Sequence, residues 1–120
     1  MTTHNQKIGA WGESIAAAYL SEKGYTILER NARTPYGELD LVTQRGEEVI
    51  FVEVKTRTSA RFGAPEIAVT PRKAEHLRNA AMHYAMEHDI ETWQIDVLAI
   101  EGHPNAQTPP KITHFEAAIS

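Results

Sequence analysis

The sequence contains no cysteine, which excludes disulfides, zinc ribbons and thiol catalysis together. It has no apolar run approaching a membrane span, and its first residues, MTTHNQKIGAWGES, carry no signal core. A cytoplasmic protein with no membrane partner is expected. An excess of positive charge is also lacking: the formal net charge is −4, which argues against a polyanionic partner. The distribution of charge points the other way. Six basic and two acidic residues lie between Lys55 and Arg78, whereas six acidic residues and only Lys111 follow Met86. One basic region can bind phosphate within an acidic total, although a solvated mixed surface accounts for the same counts. What is present is 120 residues, 42% hydrophobic and 23% charged. Such a chain is expected to fold as one domain, residues 1–120, with a core of its own.

The rest of the chain is organised around Gly37 to Arg57, GELDLVTQRGEEVIFVEVKTR. It reads as two strands, 38–44 and 49–55, joined by a glycine-containing turn. Strand side chains alternate between faces. Glu38, Asp40 and Val42 are therefore expected on one face, and Leu39, Leu41 and Thr43 on the other. In the second strand Val49, Phe51, Glu53 and Lys55 share a face opposite Ile50, Val52 and Val54. Apolar residues on both faces mark central strands. Asp40, Glu53 and Lys55 thus stand where charge is costly unless it is paired or bound to a metal.

Helical spacing predicts a first helix over 7–23, with Ile8, Trp11, Ile15 and Tyr19 on its apolar face and Gly24 as its stop. Glu13 lies beside a second stripe of Ala16, Ala17 and Leu20, with Gly9 and Gly12 permitting close approach. It either favours the helix dipole near the N-terminus or points at the strand carboxylates. Strands are expected over 25–31, near a sheet edge, over 93–100, and over 112–118 at an edge. Residues 32–36, with Pro35, read as a turn or loop, and 58–65 as a loop. A second helix is expected over 70–88, with Thr70 as N-cap and Pro71 at its first position. Helix, three strands, helix and two strands imply an α/β protein with a mixed sheet and a parallel crossover through the second helix. Asp96 reads as structural or as a support behind the site rather than as catalytic, Trp11 and Trp93 as core, and His76 and His83 as surface residues too far apart for one metal.

Oxygen ligands from Asp40 and Glu53 suit a hard cation, Mg²⁺ or Mn²⁺, and Glu13 could add a ligand. Lys55, one pleat repeat beyond Glu53, could orient a water or neutralise charge on a phosphoryl oxygen. An aspartate followed about a dozen residues later by Glu-Val-Lys, after a helix, resembles the PD-(D/E)XK nuclease signature. GESIAAAYLSEKGYTILERNAR, GELDLV, FVEVKTR, FGAPEIAVTPRK and the Asp96 strand together resemble the YraN-type family, which is similar to archaeal Holliday-junction resolvases. The resemblance covers residues 7–100. It implies a restriction-endonuclease-like fold, order αβββαββ, acting as a Mg²⁺-dependent (or Mn²⁺-dependent) endonuclease on DNA, including branched or junction DNA. Asp40, Glu53 and Glu13 would then hold metal, Lys55 would be catalytic, and Arg57, Arg61, Arg72 and Lys73 would contact the nucleic acid. A homodimer follows by analogy, since cutting a junction needs two sites. Two features depart from the pattern. Leu39 replaces the proline before Asp40, and Gln94-Ile95 stands where an arginine and an aromatic are expected. A binding module that keeps the fold without cutting is the alternative, and a buried ionic network the third reading.

Overall fold

A computed structural model describes residues 3–58 and 69–120. Helix α1 spans His4–Glu22 and begins about one turn before the expected start. The cause is a capping box: Thr3 Oγ1 accepts from Gln6 N at 3.1 Å, and the Gln6 side chain accepts from Thr3 N at 2.8 Å. Glu13 therefore lies in the middle of α1, beyond the reach of the N-terminal dipole. The stripe that goes deepest is the small one, Ile8, Gly12, Ala16 and Leu20, with Trp11, Ile15 and Tyr19 partly buried beside it. Gly12 is required there, because a Cβ would collide with Thr56 Oγ1.

Five strands form one sheet in the order β1-β2-β3-β4-β5: Thr26–Thr34, Gly37–Arg45, Glu48–Arg57, Trp93–Glu101 and Lys111–Ile119. Only β3 and β4 run parallel, joined through helix α2, Pro71–Glu87. The order αβββαββ and the mixed sheet match the sequence expectation, with β1 and β5 at the edges. Strand β1 is longer than expected and takes in most of 32–36. Thr34 Oγ1 donates to Gly37 O at 2.6 Å and accepts from Tyr36 N, so the turn contracts to Pro35 and Tyr36. Helix α2 starts as expected, with Thr70 Oγ1 accepting from Lys73 N at 3.1 Å.

The helices cover opposite faces of the sheet. Leu41, Ile50, Val52, Leu98 and Ile100 pack with α1, and Val42, Val49, Phe51, Ile95 and Val97 pack with α2. No described helix is long and apolar enough to cross a membrane. One expectation fails in an informative way: Leu39 joins Val42 on the α2 side while Leu41 faces α1. Strict alternation is broken at Asp40.

Candidate metal centre

The break at Asp40 has a counterpart on the neighbouring strand. Arg30 pairs with Leu41 and Ala32 with Leu39, which puts Asn31 opposite Asp40. Asn31 is in the left-handed region, φ 53°, where asparagine is among the few residues found without large strain. Side-chain faces slip there as well. Glu29 accepts from Tyr84 Oη on α2, Arg30 donates to Ser14 on α1, and Ala32 returns to the α2 cluster. The β1–β2 pair thus kinks as a unit.

The kink opens the sheet. Pairing of β2 with β3 ends at Leu41 and Val52, although β3 continues to Arg57 beside β4. Beyond the fork, the Asp40 carboxylate replaces the missing ladder: its Oδ2 accepts from Val54 N at 2.8 Å. Carboxylates from the two faces meet at this opening. Glu53 approaches from the α2 side, close enough for the Asp40 carboxylate to act on it. Glu13 approaches from α1, close enough for the Asp40 charge to act on it.

Crowding of like charge in a dry place raises both glutamates. Glu53 is 7% exposed, and burial, followed by the Asp40 carboxylate, pushes its carboxyl up to about 8. Lys73 and Lys55 oppose that shift. Glu13 is raised by burial first and by Asp40 next, while Asn31 and Arg30 act to lower it. Glu53 Oε2 is buried and finds no hydrogen-bond donor among the described residues. The Lys73 ammonium lies 3.5 Å away as a loose ion pair, outside hydrogen-bond geometry. An orphaned buried carboxylate oxygen beside a second carboxylate is the donor set that a hard cation completes, so Asp40 and Glu53 fit Mg²⁺ or Mn²⁺, with Glu13 at the margin.

The other expected residues divide. Lys55 lies half-buried on β3 near Glu53. Lys73 and Arg72 are exposed in the first turn of α2, and Lys73 touches the site itself. Arg57 is half-buried at the end of β3, its carbonyl accepting from Gly102 N. Arg61 lies outside the described residues. Sequence reasoning missed Asn31: with its amide turned so that the nitrogen rather than the oxygen faces the two carboxylates, it donates to Glu13 Oε1 at 3.0 Å and Glu38 Oε1 at 2.9 Å. No hydrophobic periodicity signals such a residue.

A second acidic group lies on the α1 face. Asp96, His114 and Glu116 bring three ligand-type atoms within 4.8 Å of one another, a spacing that Glu13, Asp40 and Glu53 do not reach among the described residues. The atoms of that second group are already taken. Asp96 Oδ1 accepts from Gln94 Nε2 and Ala117 N, both at 2.8 Å, and Oδ2 bonds His114 Nε2 at 2.7 Å. Glu116 Oε1 accepts from Arg45 at 3.1 Å. The network clamps the irregularity in β5, where Ala117 has φ 47°, which agrees with a structural Asp96.

The family model described as Uncharacterised protein family UPF0102 matches residues 12–100. A UPF0102 protein of Syntrophomonas wolfei is 60% identical over 80 residues, 67% of this chain and 70% of that protein. One from Dehalococcoides mccartyi is 39% identical over 121 residues, 99% of this chain and 98% of its own length. The structure of SfsA from Pyrococcus furiosus in complex with Ca²⁺ superposes with TM-score 0.39 at 15% identity, covering 90% of this chain and 61% of that one.

Proposed function

The chain belongs to the UPF0102 family, and from the carboxylates at the sheet's fork we propose a Mg²⁺- or Mn²⁺-dependent endonuclease that hydrolyses DNA phosphodiesters, with branched or junction DNA as its substrate. The observation that carries this reading is the buried, orphaned Glu53 Oε2 beside Asp40, with two lysines facing it. The helix, three-strand, helix, strand order with the acidic pair on adjacent strands supports it, as a restriction-endonuclease-like core would require. Bound at Asp40 and Glu53, a hard divalent cation would polarise a phosphoryl oxygen and make a bound water acidic.

The chain's own groups supply the rest. Val54 N–H fixes one oxygen of Asp40 and so sets the direction of the carboxylate without strain. Lys55, on the Glu53 face, orients the attacking water and neutralises charge building on the phosphoryl oxygens. Glu13 completes the acidic shell from α1. Arg57, Arg61, Arg72 and Lys73 bind backbone phosphates, which position the strand without reading its sequence. One nuclease-like domain of this kind suits a cytoplasmic enzyme, and a homodimer would present two centres to a junction.

The test is a cleavage panel of linear, flapped and four-way DNA with Mg²⁺ or Mn²⁺, run on wild type, Asp40→Ala and Lys55→Ala. Metal-dependent cleavage is expected in wild type and absent from both variants, with unchanged circular dichroism. Cleavage that persists in both variants assigns the activity elsewhere. Binding without cleavage in wild type favours a non-catalytic nucleic-acid module.

A further inference from the structure

We infer that Asn31 is a positioning residue of the metal centre, holding Glu13 turned toward Asp40 across the fork. The inference rests on the metal-centre reading above. Three observations carry it. Asn31 stands opposite Asp40 in the β1–β2 register, at the point where both strands lose their alternation. Its left-handed backbone, φ 53°, belongs to the same kink that leaves Asp40 out of the β2–β3 ladder. Two carboxylates face its side-chain amide, and the orientation that satisfies them puts the nitrogen 3.0 Å from Glu13 Oε1 and 2.9 Å from Glu38 Oε1, donating to both.

Those two acceptors are carboxylates that repel each other and Asp40, and the charges of Asp40 and Glu38 both act on Glu13. A neutral donor bridging them holds Glu13 close to Asp40 without adding a cation that would compete for ligands. The neighbouring contact, Arg30 Nη2 to Ser14 Oγ at 3.2 Å, fixes the same two segments one residue earlier on β1 and one residue later on α1. Helix α1 and strand β1 are thus joined at consecutive residues, and Glu13 is the acidic member of the pair next to the fork.

Two functions of Asn31 separate by substitution. Glycine keeps the left-handed backbone and removes the amide, so Asn31→Gly is expected to fold with a melting temperature close to that of wild type. Mn²⁺ affinity, followed by the electron paramagnetic resonance signal of free Mn²⁺, is expected to fall about ten-fold, as for other partners that orient a metal ligand. In a Glu13→Ala background the same substitution is expected to change affinity less than two-fold, because Asn31 acts through Glu13. An Asn31→Gly protein that binds Mn²⁺ as tightly as wild type, while Asp40→Asn does not bind, overturns the inference and leaves the centre standing. A full ten-fold loss in the Glu13→Ala background also overturns it. Equal Mn²⁺ binding by wild type and Asp40→Asn removes the metal centre and the inference with it.

Discussion

Two carboxylates are buried on adjacent strands of this sheet, and they are treated in opposite ways. Asp96 on β4, beside Val52, is fully buried on the α1 face and bonds His114, Gln94 and Ala117. Glu53, one residue beyond Val52 on β3, faces α2 with an orphaned oxygen and another carboxylate against it. Burial is similar, yet the first is saturated with donors and the second is short of them. A saturated buried carboxylate holds structure. An unsaturated one keeps its capacity for a ligand that is not part of the chain, and that capacity is retained at a cost in stability.

The largest expected effect breaks the comparison at Asp96. Asp96→Ala leaves the Ala117 amide, the Gln94 amide and the His114 ring without their fully buried acceptor. It is expected to cost about 3 kcal/mol or more, measured by urea unfolding. Glu53→Gln, by contrast, removes a repulsion and is expected to leave stability at pH 8 unchanged or higher, while abolishing Mn²⁺-dependent thermal stabilisation. Similar losses of stability in both variants would make Glu53 part of a structural ionic network and erase the distinction.

The same contrast predicts a pH dependence. Glu53 rises from 4.5 to about 8 on folding, so the folded state holds this proton more tightly than the unfolded chain. Its contribution is complete below about pH 4.5, and it is lost as pH rises to about 8. The slope is at most about 1.4 kcal/mol per pH unit. Melting of metal-free protein between pH 5 and 9 is expected to show this decline, reduced by saturating Mn²⁺ because metal displaces the proton. A Glu53→Gln protein that declines as wild type does would assign the slope to other groups.

Much of this organisation was legible in the sequence, for reasons that particular residues make plain. Doubly apolar strands around Asp40 and Glu53 announced a central hairpin with costly charges, and Thr70-Pro71 announced the start of α2. The expected faces of β3 hold: Val49 and Phe51 on one side, and Ile50 and Val52 on the other. Three features were hidden. The Thr3–Gln6 capping box lies before the apolar period begins, so periodicity alone starts α1 too late. The β1–β2 turn hides in the Thr34 hydroxyl, which closes two residues that looked like part of a loop. The fork depends on one left-handed asparagine, and a period-two reading assigns Leu39 to the wrong face as soon as that residue bends the strand. The carboxylates could be found by their cost, but the geometry that brings them together could not.

A smaller effect separates the two regions through α1. Gly12 packs directly on Thr56 of β3, and it precedes Glu13 in the helix. Gly12→Ala is expected to cost about 1–3 kcal/mol by overpacking, because helix and strand must separate to admit the Cβ. That shift carries Glu13 away from Asp40, so Mn²⁺ affinity should fall although no ligand has changed. The distance between Asp96 and His114, reported by the His114 ring resonances, is expected to change little. A variant that disturbs His114 and preserves Mn²⁺ affinity would place the coupling on the wrong side of the sheet.

The smallest effect tests one of the two charges that partly compensate Glu53. Lys73 is about half exposed and 3.5 Å from Glu53 Oε2, so the pair is worth at most about 1 kcal/mol. Lys73→Met retains the aliphatic stem and removes the charge. The Glu53 proton is then held more tightly, since Lys73 opposes the rise, and the upper end of the stability decline is expected to move to higher pH. Near neutral pH the melting temperature should stay within a degree or two of wild type. DNA binding should weaken alike for linear and branched substrates, and the salt dependence should fall by about one phosphate contact. An unmoved pH window would mean that burial, Asp40 and Lys55 set the proton affinity of Glu53 without Lys73. Lys73 would then be a phosphate contact that only borders the site, and the shortage of donors at Glu53 would be greater than the ion pair suggests.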